Sequence, residues 1–67
     1  MEKYFIVTED TKNELLSLDK KLTNEFPRVI LKINGRTDGW SLVISGTDDD
    51  VTRYIDRLRD NDIILDS

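Results

Sequence analysis

The sequence predicts an α+β fold of the ferredoxin-like type, a two-layer sandwich with a four-stranded antiparallel sheet and two helices on one face. Two segments have apolar residues at helical spacing, and four short segments are rich in β-branched or aromatic residues. Their order along the chain is βαββαβ, which is typical of this sandwich. A chain of 67 residues is long enough for one core only, so residues 1–67 are predicted to form a single domain.

The first strand and the first helix are predicted from residues near the start of the sequence. Tyr4 to Val7 is a run of aromatic and β-branched residues and predicts a strand. Thr11-Lys12-Asn13-Glu14 matches a capping box, so the helix is predicted to begin there. Its apolar face consists of leucines three and four residues apart, namely Leu15, Leu18 and Leu22. We expect Pro27 to end the helix and Phe26 to fold back onto the leucines.

The centre of the chain is predicted to form a β-hairpin. Residues 28–33 are almost all β-branched or leucine, and residues 40–45 alternate strictly between two faces. Asn34-Gly35 and Asp38-Gly39 supply turn residues between the two runs.

A second helix and a last strand are predicted after the hairpin. Thr47 can cap a helix, and the carboxylates of residues 48–50 favour the positive end of its dipole. The apolar face of this helix has the spacing i, i+3, i+4, i+7, with Val51, Tyr54, Ile55 and Leu58. Residues 63–65 are predicted to be the fourth strand, so the first strand should lie centrally, between the third and the fourth.

The charge distribution argues against nucleic-acid binding. The net charge is −4, and residues 1–45 hold equal numbers of acids and bases. The last third of the chain carries seven aspartates against three arginines, and this end would repel a phosphate backbone. We therefore predict no direct contact with nucleic acid.

The apolar run near the start of the sequence is only four residues long, too short for a membrane span or for the centre of a signal peptide. The chain has no cysteine, which is typical of a protein of a reducing compartment. A cytoplasmic protein without membrane contact is predicted.

Catalytic, metal-binding and cofactor-binding residues are not predicted. The chain has neither histidine nor cysteine, the commonest general base and the commonest zinc ligands and nucleophiles. The aspartates of residues 48–50 resemble the start of a calcium loop. That loop needs glycine at its sixth position and glutamate at its twelfth, where this chain has Arg53 and Arg59. We expect the aspartates to begin a helix, and we expect the protein not to be an enzyme.

One face of the predicted sheet has no helix to cover it. Strict alternation directs Trp40, Leu42 and Ile44 towards the helices, and the opposite parity should face away. That uncovered face should also hold one pair from the first strand, either Tyr4 with Ile6 or Phe5 with Val7. Arg36 and Trp40, at the hairpin, are candidates for its rim. The predicted interaction residues are Ile30, Lys32, Arg36, Trp40, Val43 and Ile64.

The second half of the chain resembles the NIL domain. The residues that carry the resemblance are Gly39 to Gly46, then Val51, Tyr54-Ile55, Leu58-Arg59 and Ile63 to Asp66. In the NIL domain the third strand likewise begins and ends with glycine, the following helix has a similar spacing of apolar residues, and the last strand ends in an acidic residue. The NIL domain is related in shape to the ACT domain. The resemblance implies a ferredoxin-like regulatory module that dimerises and senses a small ligand or regulates a partner.

Three functions follow as hypotheses. The first is a non-catalytic binding or regulatory module that acts as a homodimer or on another protein, with a small ligand as an additional possibility. The alternative is an acidic inhibitor or interaction protein, for example phage- or host-encoded, whose second helix docks on a basic partner surface. The third is an accessory factor that completes the site of another chain.

Overall fold

The computed structural model describes residues 1–65, so Asp66, the acidic tip of the predicted last strand, lies outside the described residues. The order of the elements is β1 (Glu2–Val7), α1 (Glu9–Leu22), β2 (Ile30–Arg36), β3 (Gly39–Ser45) and α2 (Asp48–Asp60). The strands form one antiparallel sheet with the order β1-β3-β2, so β3 is central. The architecture is α+β, as the sequence predicts.

The predicted four-stranded sheet, and with it the ferredoxin-like fold, is wrong. Residues 63–65 form no strand. After α2, Asp62 adopts a left-handed φ of 63°, and the Ile63 amide donates to the Leu58 carbonyl at 2.9 Å, which reverses the chain at the helix end. Ile63 then packs into the core and Leu65 packs against it. This docking buries apolar side chains but forms no strand pairing with β1. β1 is therefore an edge strand within residues 1–65 and not a central one.

The predicted capping box of α1 is wrong by almost one turn. The N-cap is Thr8, whose side-chain oxygen accepts a hydrogen bond from the Thr11 amide at 3.2 Å. Thr11 therefore lies inside the first turn, and Glu14 is too far along the helix to reach the cap. The acidic residues of the first turn, Glu9 and Asp10, lie at the positive end of the helix dipole. Thr8 and its acidic neighbours thus begin the helix earlier than the motif predicts.

The hairpin also turns at a different place. Arg36 is paired with Gly39, so the connection is Thr37-Asp38, and Asn34-Gly35 lies inside β2. Gly35 is needed there because the Trp40 ring lies against it, and a Cβ atom would be 3.3 Å from that ring. Gly39 has a φ of 137°, and a Cβ atom would lie 2.5 Å from the Val7 carbonyl oxygen. Both glycines therefore permit close packing that a side chain would obstruct.

The hydrophobic core lies between the two helices and one face of the sheet. On the sheet side, β1 and β3 contribute Phe5, Leu42 and Ile44. The predicted apolar face of α2 is confirmed: its buried residues are Val51, Tyr54 and Leu58, and Ile55 is partly buried. Thr47 caps this helix as predicted, by accepting from the Asp50 amide at 3.2 Å.

The segment between α1 and β2 folds back onto the core, as predicted for Phe26. Phe26 is buried and packs edge-on against Tyr54, with 5.7 Å between the ring centroids. The Tyr54 hydroxyl donates a hydrogen bond to the Asp19 carboxylate of α1. Burial raises the pKa of Tyr54 well above its usual value, and the hydrogen bond to Asp19 raises it further. This bond joins the two helices.

Candidate interaction surface

The face of the sheet opposite the helices, here named the open face, carries side chains from all three strands. The strand register orders them in rows that run from β1 across β3 to β2. The rows are Glu2–Ser45–Ile30, Tyr4–Val43–Lys32 and Ile6–Ser41–Asn34. The predicted residues Ile30, Lys32 and Val43 therefore share this face. Of the two β1 pairs left open by the sequence, Tyr4 with Ile6 lies here, since Phe5 is in the core.

Large apolar side chains are exposed on the open face. Ile30 is 57% exposed, Tyr4 is 50% exposed and Ile6 is 38% exposed, while Val43 at the centre is half-buried. Together they place apolar area on every strand of the sheet. These side chains are the large apolar groups that the open face exposes to solvent.

A hydrogen-bonded bridge crosses the open face near the hairpin. One terminal nitrogen of the Arg36 guanidinium donates to the Tyr4 hydroxyl at 2.8 Å, and Nε donates to an Asp38 carboxylate oxygen at 2.8 Å. The hydrogen bond from Arg36 lowers the pKa of Asp38, and the same bond raises the pKa of Arg36. The guanidinium is therefore held by groups from both an edge strand and the turn.

The bridge connects the two edge strands over the central one. Tyr4 is opposite Val43, and Arg36 is opposite Gly39, so the β3 residue between these positions on the open face is Ser41. Ser41 is buried, and its hydroxyl is 3.4 Å from the Asn34 carbonyl oxygen. A short side chain at this position allows the Tyr4 and Arg36 side chains to meet across β3.

Two of the predicted interaction residues lie away from the open face. Trp40 is on the helix face, half-buried, with the Lys12 ammonium 4.1 Å from its ring centroid. Ile64 is 69% exposed and follows α2, and its predicted place on the sheet is wrong because residues 63–65 form no strand. Their part in any interaction stays a prediction.

Sequence reasoning misses Asp38 as a member of this surface, and it misses the contact that passes over Ser41. The sequence pattern marks Asp38 only as a turn residue. Asp38 is two residues after Arg36, however, so a tight turn brings its carboxylate within hydrogen-bonding distance of the guanidinium. Ser41 is visible in the alternation of β3 as a small residue on the outer face, but its partner strands are distant in sequence. Only the strand pairing shows that an Arg–Tyr contact passes over it.

Two open grooves lie elsewhere on the described surface. One of about 690 Å³ runs between α1 and the end of α2, and its lining combines polar residues such as Asn13 and Asn61 with Leu18 and Ile63. The other, of about 280 Å³, lies between β1 and α2 over Phe5, Ile55 and Leu65. Among residues 1–65, no group of three side chains is arranged to hold a metal ion. In the same range, no helix is long and apolar enough to cross a membrane.

Comparison of the chain with protein-family models, with curated proteins and with solved structures finds no match. The resemblance of its second half to the NIL and ACT domains therefore stays a prediction.

Proposed function

We propose that this protein is a non-catalytic binding module that acts through protein–protein contact at the open face. The observation that carries the proposal is the exposed apolar set on this face, with Tyr4, Ile6 and Ile30 around Val43. The polar residues among them, such as Lys32 and Ser45, keep the surface compatible with water when it is not in contact. An apolar centre with a polar rim is the usual composition of a protein interface.

The small size of the domain supports the same function. A chain of 67 residues buries only about 60% of the surface that its unfolded chain exposes, so one core stabilises it marginally. Each Å² of apolar area that a partner covers on the open face adds roughly 25 cal/mol of stabilisation. Contact at this face thus makes up a larger fraction of the free energy of unfolding than the same contact would in a larger protein.

The setting that we propose for this module is the cytosol, on the basis of the cysteine-free composition. The part of the resemblance to NIL and ACT domains that lies in β3 and α2 supports regulation of the bound protein as the role; the last strand and the four-stranded sheet that the resemblance also implies are not formed by residues 1–65.

Site-specific photo-crosslinking tests the proposal in cells that express the protein. A benzophenone amino acid replaces Ile6 on the open face, and in a matched control it replaces Leu16 on α1. The two side chains have the same exposure, 38%, so accessibility alone cannot explain a difference. We expect a discrete crosslinked product from position 6 and none from position 16. Equal crosslinking from both positions, or none from position 6, would refute contact at the open face.

A second function is favoured by the exposed carboxylates at the start of α2. Asp48 and Asp49 have side chains that are 84% and 79% exposed. The arginines of this helix pair with acidic groups of the protein itself, Arg53 with Asp49 at 3.5 Å and Arg59 with Asp56 at 3.6 Å. The helix holds five aspartates against three arginines, so it presents a net negative surface, which suits docking on a basic protein.

Crosslinking distinguishes this acidic docking function from the first one. The benzophenone is placed at Thr52, an exposed residue of α2. A product from position 52 that disappears at high salt, together with none from position 6, would favour the acidic surface, because salt screens exposed charges.

A further inference from the structure

The charges of the open face are divided between its two edges. β1 contributes one charged side chain to this face, Glu2, whereas β2 contributes Lys32 and Arg36. The central strand β3 contributes none. Arg36 already forms an ion pair with Asp38. The remaining charged side chains of the open face are the acidic Glu2 on the β1 edge and the basic Lys32 on the β2 edge. The ion pairs found within residues 1–65 do not join these two residues, which are two strands and one row apart.

We propose that the occupant of the open face is a second copy of this chain, stacked face to face about a two-fold axis that runs along β3. This inference rests on the proposed function and names its partner. Rotation about that axis places β1 of each copy over β2 of the other, as in aligned packing of two sheets. Each row keeps its position along the axis, so Glu2 of one copy lies opposite Ile30 of the second copy, and Tyr4 lies opposite Lys32. Glu2 is then one row from Lys32 of the second copy, a diagonal distance that these two long side chains can span, and by symmetry this ion pair forms twice.

The charges select this axis over the other two-fold arrangement. An axis across the strands would place β1 over β1 and β2 over β2. The lysine edges would then face each other, and no acid would meet a base. With the axis along β3, Tyr4 also lies opposite Lys32 of the second copy, where a cation–π contact is favourable. Val43, in the central strand, lies near the axis and faces its own equivalent.

The size of the face limits the area that the dimer can bury. Three strands about 4.8 Å apart and about six residues long give a flat face of roughly 300 Å², below the roughly 800 Å² that each partner contributes to a standard interface. The dimer is therefore weak, and a series from about 10 μM to about 1 mM protein covers dissociation constants in that range.

A charge-exchange experiment tests the geometry. The two variants are Glu2→Lys and Lys32→Glu, and sedimentation equilibrium at low salt is measured for each alone and for an equimolar mixture. Alone, each variant places like charges together twice, so we expect its dissociation constant to rise about tenfold.

Mixing the two variants restores both ion pairs. The lysine introduced at position 2 of one variant meets the glutamate introduced at position 32 of the other, and the unchanged Lys32 of the first meets the unchanged Glu2 of the second. We therefore expect heterodimers with the affinity of the wild type. The double variant Glu2→Lys/Lys32→Glu should likewise recover self-association.

Matched controls carry the same changes of charge on α1, away from the open face. Glu14→Lys and Lys20→Glu are exposed helix positions and should leave the dissociation constant within about twofold of the wild type when corrected for net charge. A misfolded variant cannot regain affinity on mixing, so recovery also shows that both chains fold.

Two results would overturn the inference. One is a wild type that stays monomeric up to about 1 mM. The other is a wild type that dimerises while the mixture and the double variant do not recover. Crosslinking from position 6 to a different protein would uphold the proposed function and refute only the second copy as the occupant.

Discussion

Arg36 is the residue that links the most parts of the open face, because it contacts Tyr4 of β1 and Asp38 of the turn. The Arg36 hydrogen bond lowers the pKa of Asp38 in the folded protein. A lowered carboxyl pKa contributes stability above the unfolded-state value of about 4, and this contribution is lost as the pH falls through the lower, folded value. The contribution of the Arg36–Asp38 contact is therefore complete at neutral pH and is lost in acid, whereas the Arg36–Tyr4 hydrogen bond does not depend on the ionisation of Asp38.

The variant Arg36→Gln should return the pKa of Asp38 towards the usual range of an aspartate. Carboxyl carbon chemical shifts followed by NMR from about pH 7 to about pH 2 measure this change. Tyr4→Phe is the matched control, since it removes one guanidinium contact and leaves the Asp38 contacts in place. An unchanged Asp38 titration in Arg36→Gln would contradict the assignment of the shift to this bond.

Tyr54 is the buried polar residue that joins the two helices. The variant Tyr54→Phe leaves the Asp19 carboxylate without its hydroxyl donor, so we expect the free energy of unfolding to fall by about 1–2 kcal/mol. Urea denaturation measures it, with Tyr4→Phe as the control that loses only an exposed hydrogen bond. Because the pKa of Tyr54 is raised on folding, its contribution is complete below about pH 10 and is lost as the pH rises further. Equal losses for both variants would contradict this view of the bond.

The hairpin shows most clearly how one residue type has two structural roles. Gly35 has an ordinary strand conformation and is required by the Trp40 ring, whereas Gly39 has a positive φ and a carbonyl oxygen in the place of its missing Cβ. The two positions lie on opposite strands near the same turn, yet only one of them depends on the backbone freedom of glycine. The difference can be measured with the same substitution at both.

Gly39→Ala should destabilise the protein by about 2 kcal/mol or more, because the methyl group meets the Val7 carbonyl and the backbone is strained. Gly35→Ala is the matched control and should cost less, since the Trp40 ring needs to move by only a few tenths of an ångström. Thermal unfolding of both variants tests the order. A Gly35→Ala variant that is the less stable of the two would reverse our assignment of the strain to Gly39.

The sheet gives the molecule two faces with different roles. One is filled by core residues such as Leu42 and Ile44, and the other is the open face around Val43. Because the side chains of β3 alternate, a substitution at Val43 reaches the open face without entering the core. Folding and association can therefore be perturbed separately.

Val43→Lys should weaken self-association more than tenfold, since it places a charge near the centre of the contact. The thermal midpoint of the monomer should change little, because the core residues keep their contacts. Sedimentation across a concentration series, with Leu16→Lys on α1 as the control of equal charge, measures the first effect. Association of Val43→Lys at the wild-type affinity would exclude the open face as the contact surface between copies.

Patterns among neighbouring residues were enough to predict the α+β class, the order of the first five elements, the cap of α2 and the apolar face of that helix. They also predicted correctly which residues of β2 and β3 share a face. These features depend on alternation, on helical spacing and on caps, and each of them is decided within a few residues of the chain.

Contacts between distant residues were needed to show that β1 is an edge strand, that residues 63–65 dock without pairing, and that the Tyr4–Arg36 bridge crosses Ser41. Apolar residues after a helix are compatible with a strand or with simple docking, and the choice depends on which one buries them at the lower free energy. The turn at Thr37-Asp38 likewise accompanies the packing of Trp40 on Gly35. In each case tertiary packing outweighed the local pattern.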